Sequence, residues 1–266
     1  MKKVLKYTLL LAGMASLPAM AHVSYSGRDF GTFEGTIGWT QTISNNSATG
    51  NFGWIDATDA DWGDAHKVRP YMFHLNNAAD VRITFQDQVF TPAATAALPN
   101  PVPVMGGMNP GFSLYEGLAH RSPSMLDHDT AAGSIAIRDA VGGSGLTEGS
   151  FRAQDSWSIT NDNNDPPSVL TYIGSAYDGT SINYGTGVIA GADGVADHIV
   201  SKTFHLAAGD YSIFAGGTDY ANQNILPQLQ YGLSGTVAVV PEPETYAMLL
   251  AGLGLMGAIV RRRKSR

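Results

Sequence analysis

Short runs in which apolar and polar residues alternate recur between residues 22 and 240, separated by clusters of Gly, Asn, Asp and Pro. In residues 80–85 the side chains of Val81, Ile83 and Phe85 fall on every second position, as a half-buried strand requires. Such patterns predict strands at residues 36–43, 68–75, 81–85, 111–115, 134–137, 156–160, 169–173, 199–206, 211–215 and 229–240. The last two strands before residue 216 are predicted to pair as a hairpin through the turn at 207–209.

Helical periodicity is not sustained over three turns anywhere between Ala21 and Pro241. The best helix candidate, residues 93–98, is closed on both sides by Pro92 and Pro99. Short strands with frequent turns are typical of sandwiches and barrels. We therefore expect residues 22–240 to form an all-β domain, a single elaborated antiparallel β-sandwich of jelly-roll-like type.

The beginning of the chain has the pattern of a secretory leader. A basic region with Lys2, Lys3 and Lys6 precedes an apolar stretch at residues 7–17, and Ala19 and Ala21 form a small-residue cleavage site. We expect residues 1–21 to be a signal peptide with a signal helix. Signal peptidase would cut after Ala21 and leave His22 as the first residue of the mature protein.

The C-terminal tail combines three features in a fixed order. Pro241, Glu242 and Pro243 come first, the uncharged apolar residues 245–260 follow, and residues 261–266 end the chain with a basic cluster. As a helix, residues 245–260 would span about 24 Å, slightly less than the ~30 Å hydrocarbon core of a bilayer. We expect a short transmembrane helix there, with the basic end in the cytoplasm according to the positive-inside rule.

The tail resembles the PEP-CTERM sorting domain of Gram-negative bacteria, in which a Pro-Glu-Pro motif precedes one membrane helix and an Arg-rich end. The resemblance covers residues 241–266, with the motif at 241–243. It implies recognition and cleavage near the motif by an exosortase, a membrane transpeptidase-like enzyme. The protein would cross the inner membrane, be anchored transiently by the tail, and reach the cell surface or extracellular matrix.

The charge of residues 22–240 restricts the partners of this part. It holds 8 of the 16 basic and 21 of the 23 acidic side chains, a formal charge of −13. Such a field repels phosphate, so we expect no nucleic-acid binding. The chain contains no cysteine, which excludes disulfides and thiolate metal sites. Eighteen of the 21 acidic residues are aspartates, which favours a loop-rich β protein.

The body of the chain is also similar to the bacterial pre-peptidase C-terminal domains. The similarity rests on the order of four segments, at residues 71–75, 81–85, 112–115 and 206–213. It implies a small extracellular β-sandwich of a kind that often carries calcium. In this chain the middle is enlarged by residues 116–200.

Clustered aspartates make calcium a possible cofactor. Carboxylates on flexible loops near glycine are the ligands that calcium prefers, and Asp56, Asp59, Asp61 and Asp64 form the best candidate. Further clusters occur at residues 127–129, 162–165 and 193–197. The spacing matches no EF-hand loop. The alternative is that these aspartates cap helices and turns or are solvated loop carboxylates.

His22 allows a different metal hypothesis. A free α-amino group and imidazole on one residue can chelate copper, with another histidine completing the brace found in lytic polysaccharide monooxygenases. The spacing selects none of the candidate second ligands, His66, His74, His120, His128, His198 and His205. Nothing else in the chain resembles those enzymes, so we do not expect copper, and the alternative is a frayed terminal residue.

Aromatic residues on loops and edges could form platforms for sugar rings, but we expect most of them to belong to the core of the sandwich. The candidates are Trp39, Trp54, Trp62, Trp157, Tyr172, Tyr177, Tyr184 and Tyr220. No hydrolase or phosphate-loop motif is recognisable. We therefore expect a non-enzymatic surface or matrix protein, a structural or binding module associated with exopolysaccharide or biofilm matrix. The alternative is an extracellular enzyme that acts on polysaccharide, either a copper oxidase that uses His22 or an unrecognised hydrolase.

Overall fold

The computed structural model describes residues 23–55, 62–65, 67–96, 99–119, 150–159, 167–183, 187–219 and 229–241, together with Leu253 and Met256. The strands in chain order are β1 (Asp29–Phe33), β2 (Thr40–Thr49), β3 (Trp62–Asp64), β4 (Arg69–Leu75), β5 (Ala79–Asp87), β6 (Pro110–Glu116), β7 (Ser150–Arg152), β8 (Trp157–Ile159), β9 (Ser168–Tyr177), β10 (Ile199–Leu206), β11 (Gly209–Gly217) and β12 (Gln230–Val240). The expected all-β class is thereby confirmed.

The strands form two large sheets and one small ribbon. A six-stranded sheet has the order β1-β4-β11-β6-β9-β8, and a four-stranded sheet has the order β10-β5-β12-β2. The ribbon pairs β3 with β7. All these pairs are antiparallel as predicted, except β1 and β4, which run parallel.

The main core lies between the two sheets, which makes the fold a sandwich. Its buried residues come from alternate positions of β4, β6 and β11 on one side and of β5, β10 and β12 on the other. Aromatic rings cross the space between the sheets: the ring centroids of Tyr71 and Phe85 are 5.1 Å apart, and those of Phe85 and Phe112 are 5.5 Å apart. Contacts of this kind add to the stabilisation from buried area.

A second core covers the outer face of the six-stranded sheet. Phe214 and Tyr115 point to this side, where they meet Phe151 and Trp157. Trp54 also belongs to this core, and its indole N–H donates to Ser113 Oγ at 2.8 Å. The described part of the enlarged middle, including β7 and β8, supplies much of this layer. Both faces of β6 and β11, at the centre of the six-stranded sheet, are therefore buried.

The chain alternates between the two sheets from β4 to β6 and again from β9 to β12. The connection of residues 76–78 leads from β4 in the six-stranded sheet to β5 in the four-stranded sheet. The predicted hairpin of residues 202–215 is wrong for the same reason: β10 pairs with β5, whereas β11 pairs with β4 and β6. The turn after Leu206 is an arch between the sheets, and Tyr211 Oη donates to the carbonyl of Ala207 across it at 2.7 Å.

Most predicted strands are present, and β10 has the predicted bounds of residues 199–206. The prediction at 36–43 is displaced, since β2 begins at Thr40 and continues to Thr49. Strands β1, β3 and β7 were not predicted, and residues 93–96 form no helix. The predicted strand at 134–137, the signal peptide 1–21 with Ala21 and His22, and Glu242 and Pro243 lie outside the described residues.

The predicted transmembrane helix 245–260 also lies outside them, apart from Leu253 and Met256. Both of these residues are helical and exposed. Within the described part of the chain, no helix has the length and apolar character needed to cross a membrane.

Candidate functional site

The proposed calcium ligands are only partly placed by the structure. Asp64 ends β3, and its backbone N–H donates to the carbonyl of Gly53 at 2.8 Å. Asp56, Asp59 and Asp61 lie outside the described residues. Burial lowers the pKa of neighbouring Lys67, and the charge of Asp64 opposes this shift. The described residues contain no group of three or more carboxylates and imidazoles that could hold a metal.

The aspartates of the 193–197 cluster hold loop backbone in place. Asp193 Oδ1 accepts from the N–H groups of Gly179 and Val195 at 3.0 and 3.1 Å. Asp197 Oδ1 accepts from Ile199 N–H at 3.3 Å. Asp87, the last residue of β5, accepts from the N–H groups of Gly107 and Met108 through its two oxygens. These contacts match the alternative that aspartates brace turns in this domain.

The described histidines each contact a different partner. His74 Nδ1 lies 2.8 Å from Asp210 Oδ1, and His205 Nδ1 lies 2.8 Å from Asp80 Oδ1. His198 Nδ1 lies 3.2 Å from the carbonyl oxygen of Met108. His22, His66, His120 and His128 are outside the described residues, so the copper hypothesis is not tested by the geometry.

The aromatic candidates divide between core and surface. Trp54, Trp157 and Tyr177 are buried in the second core, and Tyr172 is half-buried against it. Trp39 is exposed over 44% of its surface. Nothing is described of the side chain of Trp62 or of Tyr184 and Tyr220. For the three buried residues the prediction of a core role is confirmed.

The outward side of the four-stranded sheet carries a feature that the sequence analysis missed. Thr42 lies opposite Thr236, Thr236 lies opposite Thr84, and Thr84 lies opposite Ser201. One row of hydroxyl-bearing residues therefore crosses all four strands. The Oγ1 atoms of Thr42 and Thr236 are 2.9 Å apart, as are Thr84 Oγ1 and Ser201 Oγ. Because neighbouring strands are spaced by about 4.8 Å, the row is about 14 Å long.

The residues on either side of this row extend the polar surface. On one side lies a second row of Thr40, Ala238, Arg82 and Thr203. We call the outward side of the four-stranded sheet the hydroxyl face. Arg82 is exposed and places a guanidinium on it. Asp80 stands at its end, is 8% exposed, and pairs with His205. In a domain rich in aspartate, this face presents mainly neutral hydroxyl groups around one cation.

Part of this feature could be recognised in the sequence. Polar residues alternate with apolar ones at Arg82 and Thr84 and at Ser201 and Thr203, which predicts two half-exposed strands. The row itself depends on the register of strands that are more than a hundred residues apart, and local alternation does not specify that register.

The root of the sorting tail is fixed to the sandwich. β12 ends at Val240, and Pro241, the first residue of the predicted motif, follows directly. Two residues before the motif, Val239 N–H donates to the carbonyl of Trp39 at 2.8 Å, and its carbonyl accepts from Gly38 N–H at 3.0 Å. The motif therefore begins where an internal strand of the sheet ends.

Comparison with known proteins gives a match for the tail. Residues 239–264 match the family described as the PEP-CTERM protein-sorting motif. No curated protein matches the chain in sequence. The resemblance to pre-peptidase C-terminal domains is not confirmed by the family and structure matches.

Two solved structures superpose on most of the chain. One is CorA, a surface-associated copper-binding protein important in Methylomicrobium album BG8 copper acquisition, with 13% identity, a TM-score of 0.46, and coverage of 79% of this chain and 97% of CorA. The other is MopE, a secreted protein of Methylococcus capsulatus in which an oxidised tryptophan facilitates copper binding. It has 15% identity, a TM-score of 0.44, and coverage of 81% of this chain and 87% of MopE. Such distant similarity transfers no ligand to this chain. The match at residues 239–264, by contrast, shows that this chain carries a PEP-CTERM protein-sorting motif. The protein is therefore exported to the cell envelope or surface through an exosortase-type system.

Proposed function

We propose that this protein is a non-enzymatic binding module of the cell surface or extracellular matrix, and that its hydroxyl face binds exopolysaccharide. The observation that carries the proposal is the registered row of Thr42, Thr236, Thr84 and Ser201 across four strands. The PEP-CTERM sorting motif supports a location at the cell surface or in the matrix. Because residues 22–240 carry a formal charge of −13, acidic groups of a ligand would be repelled by most of the domain and would find their cation at this face, on Arg82.

The chemistry of the hydroxyl face suits a polysaccharide. A hydroxyl group both donates and accepts, so a flat row of hydroxyls can exchange hydrogen bonds with the hydroxyls of a sugar chain. Arg82 adds a group that binds carboxylates in a bidentate manner, which favours a polysaccharide that contains acidic sugars.

A non-catalytic role is also supported by how the described acidic residues are used. Asp87, Asp193 and Asp197 hold backbone amides, whereas Asp80 and Asp210 pair with histidines. The three carboxylates that bind backbone amides serve the fold.

The test is binding of the full-length protein, held in detergent micelles, to immobilised exopolysaccharide of its host. The double variant Thr84→Val with Thr236→Val removes two hydroxyls at nearly constant volume. Two net hydrogen bonds amount to about 2 kcal/mol, so affinity should fall roughly thirtyfold. Arg82→Gln should weaken binding of an acidic polysaccharide and reduce its dependence on salt.

The matched control is Thr171→Val, which removes an exposed threonine hydroxyl from β9 in the other sheet. It should bind as the wild type does. Thermal unfolding of each variant establishes that the sandwich is intact. If the double variant and the Thr171→Val control bind exopolysaccharide with equal affinity, the hydroxyl face is not the binding site.

A further inference from the structure

The strand ends show which end of the sandwich lies next to the sorting tail. Val240 pairs with Asp80 at the start of β5, and Asp80 pairs with His205 near the end of β10. The same end carries the turn of residues 76–78 and the connection of residues 34–39 between β1 and β2. The tail therefore leaves the domain among these loops.

The 34–39 connection exposes two large apolar side chains at this end. Ile37 is 59% exposed and Trp39 is 44% exposed. The indole of Trp39 rests on Phe33 with ring centroids 5.7 Å apart, and Trp39 N–H donates to the carbonyl of Thr36 at 3.2 Å. The hydrogen bonds of Gly38 and Trp39 to Val239 hold the loop beside the tail. We call Ile37 and Trp39 the apolar tip.

The length of the chain keeps the apolar tip near a membrane while the tail is present. Only residues 241–244 separate β12 from the apolar segment that begins at residue 245. Four residues span at most about 14 Å even when fully extended. A segment inserted from residue 245 onward would therefore hold this end of the sandwich at the bilayer surface.

The charges beside the tip are compatible with such a position. Glu34 accepts from the side-chain amide of Asn76 at 2.6 Å, Asp210 pairs with His74, and Asp80 pairs with His205. Because each of these three carboxylates has a partner, moving it close to a membrane surface costs less desolvation free energy than it would for an unpaired carboxylate. Tryptophan is enriched at membrane–water interfaces, because its ring is apolar and its N–H is polar.

We infer that, while the sorting tail is inserted, the apolar tip of Ile37 and Trp39 rests on the lipid surface of the same membrane. The sandwich then stands with its strands roughly upright, and its hydroxyl face is turned sideways and free of the bilayer. This inference rests on the tail and the 34–39 connection, and it does not depend on the ligand of the hydroxyl face.

The absence of cysteine from the sequence permits a clean test. A single cysteine is introduced at Thr36, which leaves both tip residues intact, and is labelled with an environment-sensitive fluorophore. The matched control has its cysteine at Val195, which is 56% exposed in the connection between β9 and β10 at the opposite end. The full chain is reconstituted in phosphatidylcholine vesicles with nitroxide-labelled lipid, and only vesicles recovered by flotation with the protein are measured.

We expect the probe of Thr36→Cys to shift to the blue and to lose most of its emission to the nitroxide lipid, while the probe of Val195→Cys changes little. Adding Ile37→Ser to Thr36→Cys should reduce the quenching without disturbing the packing of Trp39 on Phe33. Inserting about twenty Gly and Ser residues between Val240 and Pro241 should reduce it further, because a flexible linker lowers the local concentration of lipid at the tip.

Equal quenching of the two probes would overturn the inference. So would quenching at Thr36→Cys that is unchanged by Ile37→Ser and by the inserted linker. Protection of the Thr36→Cys probe only when the sorting enzyme is present in the vesicles would mean that the tip contacts that protein, and the lipid assignment would then be wrong. Loss of exopolysaccharide binding in the hydroxyl-face variants has no bearing on these outcomes.

Discussion

Asp178 Oδ2 accepts a hydrogen bond from the backbone N–H of His198 at 3.1 Å, and His198 has a left-handed φ of 65°. The other oxygen of Asp178 accepts from Asp197 N–H at 3.0 Å. A carboxylate that is 2% exposed thus ties the end of β9 to the start of β10. Burial raises the pKa of Asp178, the charges of Asp193 and Asp197 add to the rise, and the two amide bonds oppose it.

The first prediction concerns the pH dependence that follows from this shift. A carboxyl whose pKa is higher in the folded state than its ordinary value of 3.8 stabilises the fold most fully below that value. This contribution is lost as the pH rises through the folded-state pKa. The free energy of unfolding of the wild type, relative to Asp178→Asn, should therefore fall as the pH rises from about 3 to 7.

Denaturant unfolding at a series of pH values measures this difference. Val169→Ala, a change at an exposed and uncharged position of β9, serves as the control and should give a difference independent of pH. A flat profile for Asp178→Asn as well would contradict the prediction.

The second prediction compares two buried tyrosines. Among the described residues the Tyr71 hydroxyl has no hydrogen-bond partner, whereas Tyr211 Oη donates to the carbonyl of Ala207. Removing an unsatisfied buried hydroxyl should stabilise the fold, and removing a bonded one should destabilise it, each by about 1 kcal/mol. Urea unfolding of Tyr71→Phe and Tyr211→Phe should therefore give changes of opposite sign. Loss of stability in both variants would show that Tyr71 has a partner in the native protein.

The third prediction concerns a close approach of backbone in the four-stranded sheet. A Cβ atom at Gly232 in β12 would lie 1.6 Å from the carbonyl oxygen of Gln88. Gly232→Ala therefore forces backbone to move and should cost about 3 kcal/mol or more of unfolding free energy. Thr236→Ala in the same strand, whose side chain lies at the surface, should cost less than about 1 kcal/mol. Similar midpoints of thermal unfolding for the two variants would contradict the expected clash.

The fourth prediction tests calcium at Asp56, Asp59, Asp61 and Asp64. An ion that binds only the native state raises the midpoint of thermal unfolding. Millimolar calcium should therefore raise the midpoint relative to a chelator, and replacing the four aspartates by asparagine should abolish the difference. An unchanged midpoint of the wild type would count against this site.

The enzymatic alternative has a separate test. If His22 is the mature N-terminus and binds copper, metal analysis of the processed protein should find one tightly held copper that disappears when one residue is added before His22. We expect no such copper. Its detection would replace the proposed binding role by that of a copper oxidase.

The alternation of residues predicted which segments are strands, but not how the strands pair. Val200, Phe204 and Leu206 of β10 are buried, as are Tyr211 and Ile213 of β11, so their alternation correctly predicts burial. The two strands line the core from opposite sheets, and the pattern within one strand is the same for either sheet. The short strands β3 and β7 have three residues each, too few to show a period.

The same limit applies to the hydroxyl face. Thr84 and Ser201 are visible as outward residues of two predicted strands, yet their proximity depends on the pairing of β5 with β10. The sorting motif and the apolar segment of the tail, by contrast, are neighbours in the sequence, so recognising them does not depend on how strands pair. Features of that kind could be predicted from the sequence, whereas the site on the sheet requires the fold.

The position of β12 has a consequence for how the chain folds during export. β12 lies between β5 and β2, so the four-stranded sheet is in two pieces until residue 240 has crossed the membrane. Every pair in the four-stranded sheet joins strands that are more than a hundred residues apart, and folds dominated by such distant contacts form slowly. A chain that folds late stays unfolded, and an unfolded chain can pass through a narrow translocation channel. The four-stranded sheet can be completed only after β12 has crossed the membrane, and the sorting motif at residues 241–243 is the next segment of the chain to follow it.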